Sequence, residues 1–203
     1  NLGRALGLGE RYAEAIPVYG AAIDLCQQSD SQWREEAERA ITGARRKLVG
    51  EARESLREGR PEDAWRALNA GRGEDGADLG ALDTATRRAW LKRVRELFAA
   101  GDPDRARAAN AYLEIAPDDR IVLLLLAREH MSRRQPEAAL PFWRRLAAIE
   151  PDEAMHRLQA ARCLFALKSP AAAAEEARGA LNRRPDMTEA AKLLEQCAAA
   201  APV

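Results

Sequence analysis

The sequence has few aromatic residues, no net charge and no long hydrophobic run. Aromatic residues make up 5% of the 203 residues, so alanine and leucine must supply most of the packing surface. Lys and Arg number 32 and Asp and Glu also number 32, which argues against the global positive field that attracts nucleic acids or anionic membranes. The longest apolar run, Ile121 to Ala127, is far shorter than the roughly 20 residues of a membrane helix. We therefore expect neither nucleic-acid binding nor membrane insertion.

Cysteine is also scarce. Cys26, Cys163 and Cys197 form no CxxC motif, and an odd number does not suit a disulfide framework. Cys163 and Cys197 occupy the same position of two successive sequence repeats, which are described below. We therefore interpret the cysteines as small buried residues rather than as a disulfide or a metal site.

The sequence contains no recognisable catalytic or cofactor motif. Nothing places its two histidines, His130 and His156, beside a nucleophile or a paired carboxylate. The GxGxxG pattern of Gly71, Gly73 and Gly76 follows a predicted helix, whereas a dinucleotide site needs a preceding strand. We predict no catalytic residue, no metal and no cofactor. The chain is therefore not expected to be an enzyme, and any activity would lie in a part of the protein outside it.

The start of the chain leaves the compartment open. The chain begins at Asn1 rather than at methionine, within what reads as an unfinished helix, and shows no secretory signal. We interpret it as excised from a longer protein, so both a cytoplasmic and a periplasmic location fit. The alanine- and arginine-rich composition is typical of a bacterial source.

What the sequence does contain is a regular period. Proline followed by aspartate recurs at Pro117, Pro151 and Pro185, in equal steps (151 − 117 = 185 − 151 = 34). Because proline cannot continue a helix and aspartate can cap one, each pair should end one helix and begin the next. A second series of prolines should begin the second helix of each unit, where a missing N–H costs nothing. Its members are Pro61, Pro103, Pro136 and Pro170.

These signals predict one helical repeat array over residues 1–203, without strands. Its parts are a partial repeat (1–28), an irregular repeat with a long first helix (29–70), a glycine-rich insertion (71–82), three regular repeats (83–117, 118–151 and 152–185) and a capping helix (186–199). The predicted helices span residues 9–25, 33–58, 61–70, 83–100, 103–115, 118–133, 136–149, 152–167, 170–182 and 186–199.

The repeat resembles the tetratricopeptide repeat (TPR) family, best from residue 83 to residue 199. In the unit 118–151, the family's alternating large and small positions and its closing proline are Leu123, Ala127, His130, Ala139, Trp143 and Pro151. The resemblance implies an all-α, right-handed superhelical solenoid of antiparallel helix pairs, with four to five repeats and a capping helix. It also implies that His130 and most tryptophans pack in the interior. Trp33, near a helix start within an insertion, is the tryptophan most expected to be exposed.

Aligning the units places an arginine at one position of each first helix. The column consists of Arg4, Arg53, Arg95, Arg128 and Arg162. In the TPR family this position lies on the concave groove, where extended peptides bind. Two apolar columns flank the arginines. They hold Val49, Leu91, Leu124 and Leu158 on one side, and Leu56, Phe98, Met131 and Phe165 on the other.

This surface leaves two interpretations open. Guanidinium groups between apolar rows suit an acidic, partly apolar, extended ligand. Alternatively, each arginine pairs with a carboxylate of an adjacent helix, and the apolar columns belong to the core. The slots that hold lysine and asparagine in chaperone-binding members are Ile121, Leu125 and Met155 here, so a chaperone C-terminal tail is not expected.

Two functions follow from these features. The first is a protein-interaction scaffold whose groove binds an extended, acidic segment of a partner. The alternative is an accessory TPR domain of a larger bacterial enzyme or of a polysaccharide synthesis or export protein. In that case the same groove would dock partner enzymes or guide an acidic polysaccharide.

Overall fold

The computed structural model describes residues 3, 6–7, 11–25, 31–72 and 79–200, and these residues form helices and turns without any strand. The chain divides into two compact units, Asn1–Arg93 and Val94–Val203. The helices with defined bounds are α1 (Tyr12–Leu25), α2 (Ser31–Arg57), α3 (Pro61–Gly71), α4 (Gly80–Ala100), α5 (Arg105–Ile115), α6 (Arg120–Ser132), α7 (Pro136–Ile149), α8 (Ala154–Ala166), α9 (Pro170–Arg183) and α10 (Thr188–Ala200). The predicted helices are thus confirmed, with ends shifted by up to three residues. Arg4, Cys26 and two glycines of the GxGxxG pattern, Gly73 and Gly76, lie outside the described residues.

The first unit packs α2 against α1 and α3. Its core cluster consists of Ala52, Ala64 and Leu68, against which apolar residues of α2, of α3 and around the start of α4 pack. Gly71 permits the close approach of α3 to α2, since a Cβ there would lie 3.3 Å from the Cβ of Leu48. Small residues therefore set the helix spacing in this unit.

A cation–π cluster fixes the residues on either side of the glycine-rich segment in the first unit. The guanidinium groups of Arg72 and Arg87 lie 4.9 Å and 5.2 Å from the ring centre of Trp65. Asp83 accepts a hydrogen bond from Arg72 at 3.0 Å and forms an ion pair with Arg87 at 3.3 Å. Trp65 is therefore half-buried between two cations, each contact worth about 0.5–1 kcal/mol.

The second unit is a succession of helix pairs: α6 packs on α7, α7 on α8, α8 on α9 and α9 on α10. Its core cluster is rich in alanine, and the buried alanines of α9 are Ala173, Ala174, Ala177 and Ala180. Leucines such as Leu158 and Leu164 fill the space that the alanines leave. Burying one such leucine contributes roughly 1.5–3 kcal/mol, more than burying one alanine.

The turn inside each helix pair has the same backbone form. Gly59, Gly101, Arg134 and Lys168 all have positive φ, between 57° and 72°. Each lies two residues before a proline of the second series. Pro61, Pro136 and Pro170 then occupy the first turn of α3, α7 and α9, as predicted.

Pro103 departs from this pattern. It lies in a turn, and α5 begins only at Arg105, after a main-chain N–H of Asp104 donates to the Asp102 side chain at 2.8 Å. In this helix Ala108 and Ala109 are buried, whereas Ala106 is only half-buried.

The predicted helix caps are wrong by one residue. Asp119, not Asp118, accepts hydrogen bonds from the main-chain N–H groups of Ile121 and Val122. Glu153, not Asp152, does the same for Met155. The proline and the following aspartate form the turn itself, so the cap falls on the next residue.

The remaining sequence predictions concern single side chains. Cys163 and Cys197 are free and buried, as expected. Trp33 is 40% exposed, whereas Trp90 and Trp143 are buried. His130 stacks on Phe142, with ring centres 5.7 Å apart. No helix of the described chain combines the length and apolar character that a membrane crossing requires.

Candidate functional site

Four of the five predicted arginines belong to the described residues, and each lies on the first helix of a pair and is exposed. Arg53 belongs to α2, Arg95 to α4, Arg128 to α6 and Arg162 to α8. Within the described residues, no carboxylate forms an ion pair with any of the four, whereas Arg105 pairs with Glu129 at 2.8 Å. The alternative in which each arginine is neutralised by an adjacent helix is therefore not supported for these four.

One of these arginines lines a concave pocket of the second unit. The pocket has a volume of about 580 Å³ and is formed by α6, α7, α8 and the residues that follow α7 and α9. We call it the Arg128 pocket. Its apolar lining residues are Leu124, Met131, Trp143 and Met155. Its polar lining residues are Arg120, Arg128, Glu150, Glu153, His156, Gln159 and Arg184.

Most of the charges in the Arg128 pocket are already paired. Glu150 accepts from Arg120 at 3.1 Å and from Nε2 of His156 at 2.9 Å. The hydrogen bond from His156, helped by Arg120, holds the pKa of Glu150 below its usual range. Arg184 lies 3.9 Å from Glu153. Among the described residues, Arg128 is the guanidinium of this pocket that has no carboxylate partner.

Two buried polar atoms lie in the wall of the pocket. Nε1 of Trp143 and Nδ1 of His156 have no hydrogen-bond partner among the protein atoms described. The two rings contact each other, with centres 6.0 Å apart. When the imidazole of His156 is neutral and its Nε2 donates to Glu150, its Nδ1 is an acceptor. The wall therefore keeps one donor and one acceptor unsatisfied.

Two methionines make the apolar part of the wall adaptable. Met131 accepts a weak hydrogen bond from the thiol of Cys163 at 3.4 Å, and Met155 accepts one from Gln159 at 3.5 Å. Thioether side chains rotate easily and conform to irregular ligands. An arginine beside such a wall can bind a carboxylate bidentately while the methionines contact neighbouring apolar groups.

Not every predicted groove residue lines this pocket. Leu124, Arg128 and Met131 do, whereas Leu158 is completely buried in the core and cannot contact a ligand there. The reason lies one repeat further along the chain. In the pocket, three polar residues come from the start of the repeat: Glu153, His156 and Gln159. In the next repeat the three equivalent positions hold apolar residues, and these pack in the same core cluster as Leu158. Those residues are Met187, Ala190 and Leu193.

The other apolar residues predicted for the groove remain candidates. Leu91, Phe98 and Phe165 are half-buried and do not line the Arg128 pocket. Phe165 packs against the core cluster of the second unit. These residues present only part of their surface to a ligand.

Sequence reasoning missed the polar side of the pocket. Glu150, His156 and Arg184 join it because the end of one repeat meets the start of the next. A charged residue directly before two of the three repeat-closing prolines, Glu150 before Pro151 and Arg184 before Pro185, was the available signal. Within the described chain, no three His, Cys, Asp or Glu residues are grouped as metal ligands would be.

Comparison with known proteins supports the fold. No family model matches the chain. No curated protein sequence matches it either. Among solved structures, a crystal structure of MamA aligns with a TM-score of 0.50 and 14% identity, over 77% of this chain and 81% of MamA. A MamA mutant aligns with a TM-score of 0.44 and 17% identity, over 75% and 85% of the two chains.

The yeast Sti1 TPR2AB domain in complex with pHSP90 aligns with a TM-score of 0.43 and 16% identity, over 98% of this chain and 95% of that one. At these identities the similarity concerns the fold alone. The fold assignment rests on the MamA crystal structure with a TM-score of 0.50. The predicted all-α, TPR-like fold class is thereby confirmed.

Proposed function

We propose that this chain is a protein-interaction module that binds an extended segment of a partner protein in the Arg128 pocket. An acidic side chain of the segment pairs with Arg128, and its apolar neighbours contact Leu124, Met131 and Met155. One observation carries the proposal: Arg128 has no carboxylate partner in the described chain, yet it borders an apolar, concave wall.

The electrostatics of the pocket favour an acidic ligand over a neutral one. Arg120 and Arg184 are close to Glu150 and Glu153, so their charges are largely balanced. Arg128 is not balanced, and a bidentate carboxylate would supply both the charge and the hydrogen bonds that it lacks. A charge-assisted hydrogen bond contributes about 1.5–3 kcal/mol, which corresponds to roughly ten- to hundredfold in affinity.

The same geometry gives a catalytic function of this pocket no support. Both carboxylates of the pocket already have basic partners, Glu150 with Arg120 and Glu153 with Arg184, and the pKa of Glu150 is lowered rather than raised toward neutrality. A general acid or base would instead need a pKa near the working pH. We therefore propose a binding role without catalysis.

Selection of peptides tests the proposal directly. Random twelve-residue peptides displayed on phage would be selected on the 203-residue chain, and the affinities of the selected peptides measured by fluorescence anisotropy. We expect Asp or Glu beside an apolar residue to be enriched. Arg128→Glu should weaken binding at least tenfold. Failure to select any peptide, or selection without acidic enrichment, would contradict the proposal.

A matched control distinguishes an effect of the pocket on affinity from an effect of the net charge of the chain. Arg144 is an exposed arginine of α7 that has no ion pair in the described chain and does not line the pocket. Arg144→Glu changes the net charge as Arg128→Glu does and should change affinity less than twofold. Equal losses in both variants would show a nonspecific charge effect and refute the assignment to Arg128.

The triple variant Arg95→Glu, Arg128→Glu and Arg162→Glu tests the wider arginine row. It should abolish acidic-peptide binding and keep the helical circular-dichroism signal, since all three side chains are exposed. Unfolding of the triple variant would show instead that the arginines are structural. A polyuronate that displaced the selected peptides would favour the polysaccharide alternative.

A further inference from the structure

A second groove lies between α9 and α10, away from the Arg128 pocket. It has a volume of about 310 Å³. Ala174, Glu175 and Arg178 of α9 line one side, and Leu194, Cys197 and Ala198 of α10 line the other. We call it the α9–α10 groove.

The repeat register shows what this groove is built to hold. The equivalent positions of the preceding repeat lie on α7 and α8, and there α9 packs on α8. Ala160 and Leu164, which correspond to Leu194 and Ala198, are buried in that earlier pair. Leu194 is only half-buried and Ala198 is exposed. The later groove is therefore the same helix-binding surface without its helix in the described chain.

The residues of the groove specify a larger occupant than α9. Two leucines of the earlier surface, Leu140 and Leu164, become Ala174 and Ala198, while Ala160 becomes Leu194. Because Ala174 is smaller than Leu140, the α9–α10 groove has more room beside α9 than the equivalent surface of the preceding repeat, which the alanines of α9 cover. Alanine side chains would leave a void there, whereas larger apolar side chains would fill it.

The rim of the groove carries one acidic and one basic residue. Glu175 and Arg178 are exposed, and neither forms an ion pair within the described part of the chain. An amphipathic helix with a basic and an acidic residue beside its apolar face would complement both. A groove with an apolar floor and two uncommitted rim charges therefore matches helix-in-groove recognition.

We infer that the α9–α10 groove binds an amphipathic helix of a partner protein that carries leucine- or methionine-sized side chains at positions i and i+4. The helix takes the place that α9 takes on the preceding pair. This site is separate from the Arg128 pocket and does not depend on the function proposed for that pocket.

Two stapled helical peptides test the inference on the 203-residue chain. Both copy residues 170–183, and one carries leucine at the positions of Ala173 and Ala177. We expect the leucine peptide to bind with micromolar affinity in fluorescence anisotropy and the alanine peptide to bind at least tenfold more weakly. Absence of binding, or equal binding of both peptides, would overturn the inference.

Adjacent alanines of α10 provide the matched variants. Ala198 lines the groove, and Ala199 is also exposed but does not. Ala198→Arg should lower the affinity for the leucine peptide at least tenfold, and Ala199→Arg should lower it less than twofold. Arg128→Glu should leave this binding unchanged, so failure here is distinct from failure of the Arg128 pocket. Equal effects of the two alanine variants would overturn the assignment.

Sedimentation would distinguish a second copy of the chain from a partner helix. We expect the chain to remain monomeric at the concentrations of the peptide assay. A dimer that Ala198→Arg abolishes and Ala199→Arg preserves would assign the groove to self-association and overturn the partner-helix inference.

Discussion

Glu129 is the side chain that ties α5 to α6 in the second unit. It accepts a hydrogen bond from Arg105 at 2.8 Å, and Arg133 approaches it at 2.8 Å from the end of α6. The hydrogen bond from Arg105 lowers the pKa of Glu129, with help from the charges of Arg133 and His130 and against the effect of burial. A carboxyl group whose pKa is lower in the folded chain stabilises the fold above its unfolded pKa, about 4.3.

Glu129→Gln tests this contribution. At pH 7 the variant should lose about 1–2 kcal/mol of unfolding free energy, because Arg105 and Arg133 lose their negatively charged acceptor. The difference from wild type should shrink as the pH falls below about 4 through the folded pKa, where Glu129 becomes protonated. Urea unfolding at several pH values measures both effects. Glu195→Gln, at an exposed position of α10, is the control, and a pH-independent difference would contradict the explanation.

At the residue scale the sequence predicted part of the candidate site. The alignment of repeats identified Leu124, Arg128 and Met131, because one helix face follows directly from periodicity. It could not identify Glu150 or His156, since their meeting depends on how one repeat packs on the next. It also placed Leu158 at the groove. The pattern of one helix does not show that Met187 and Leu193 of the following repeat bury this side chain.

The helix ends are the elements that the repeat motif controls most directly. Pro61, Pro136 and Pro170 predicted where their helices begin, whereas Pro103 did not. The turns after Pro117 and Pro151 move the caps of α6 and α8 one residue further than expected. Asp119 bonds two main-chain N–H groups of α6 and lies 3.2 Å from the hydroxyl of Tyr112. Asp118 instead accepts from Arg145 at 2.9 Å on the surface.

Alanine substitutions of Asp119 and Asp118 distinguish the helix cap from the surface ion pair. Asp119→Ala should destabilise the chain by about 1 kcal/mol, because two N–H groups at the start of α6 lose their acceptor. Asp118→Ala should change stability by less than about 0.5 kcal/mol, since exposed ion pairs contribute little. Thermal or urea unfolding measures the difference, and the reverse order would restore Asp118 as the cap.

The turns between paired helices need a left-handed residue, which glycine adopts without strain. Gly59→Ala should therefore destabilise the fold by about 1–2 kcal/mol, even though a Cβ there meets no atom within 4 Å. Gly50→Ala, in the interior of α2 and equally free of contacts, should stabilise by up to about 1 kcal/mol. Urea unfolding of both variants compares them, and effects of the same sign would exclude backbone conformation as the cause.

At the scale of the whole molecule, the fold class was predictable because one period repeats along the chain. The period gave the helix order and the TPR resemblance from residue 83 onward. Balanced charge is the other global property, with equal numbers of acidic and basic residues. It leaves little electrostatic repulsion between molecules near neutral pH.

Solubility should reflect this balance. We expect the 203-residue chain to be least soluble near pH 7 in polyethylene glycol precipitation and more soluble on either side. Arg144→Glu, which replaces one positive charge by one negative charge, should raise solubility at pH 7. Solubility that changes in one direction only between pH 5 and pH 9 would contradict the expectation.

Cys163 provides a direct measure of opening in the second unit. Its thiol is completely buried, and burial raises its pKa to about 11. A maleimide reagent reacts with thiolates, so the folded chain should protect Cys163 until α8 separates from its neighbours. The rate at which mass spectrometry detects the modified peptide would then report the opening free energy of this repeat without any engineered probe.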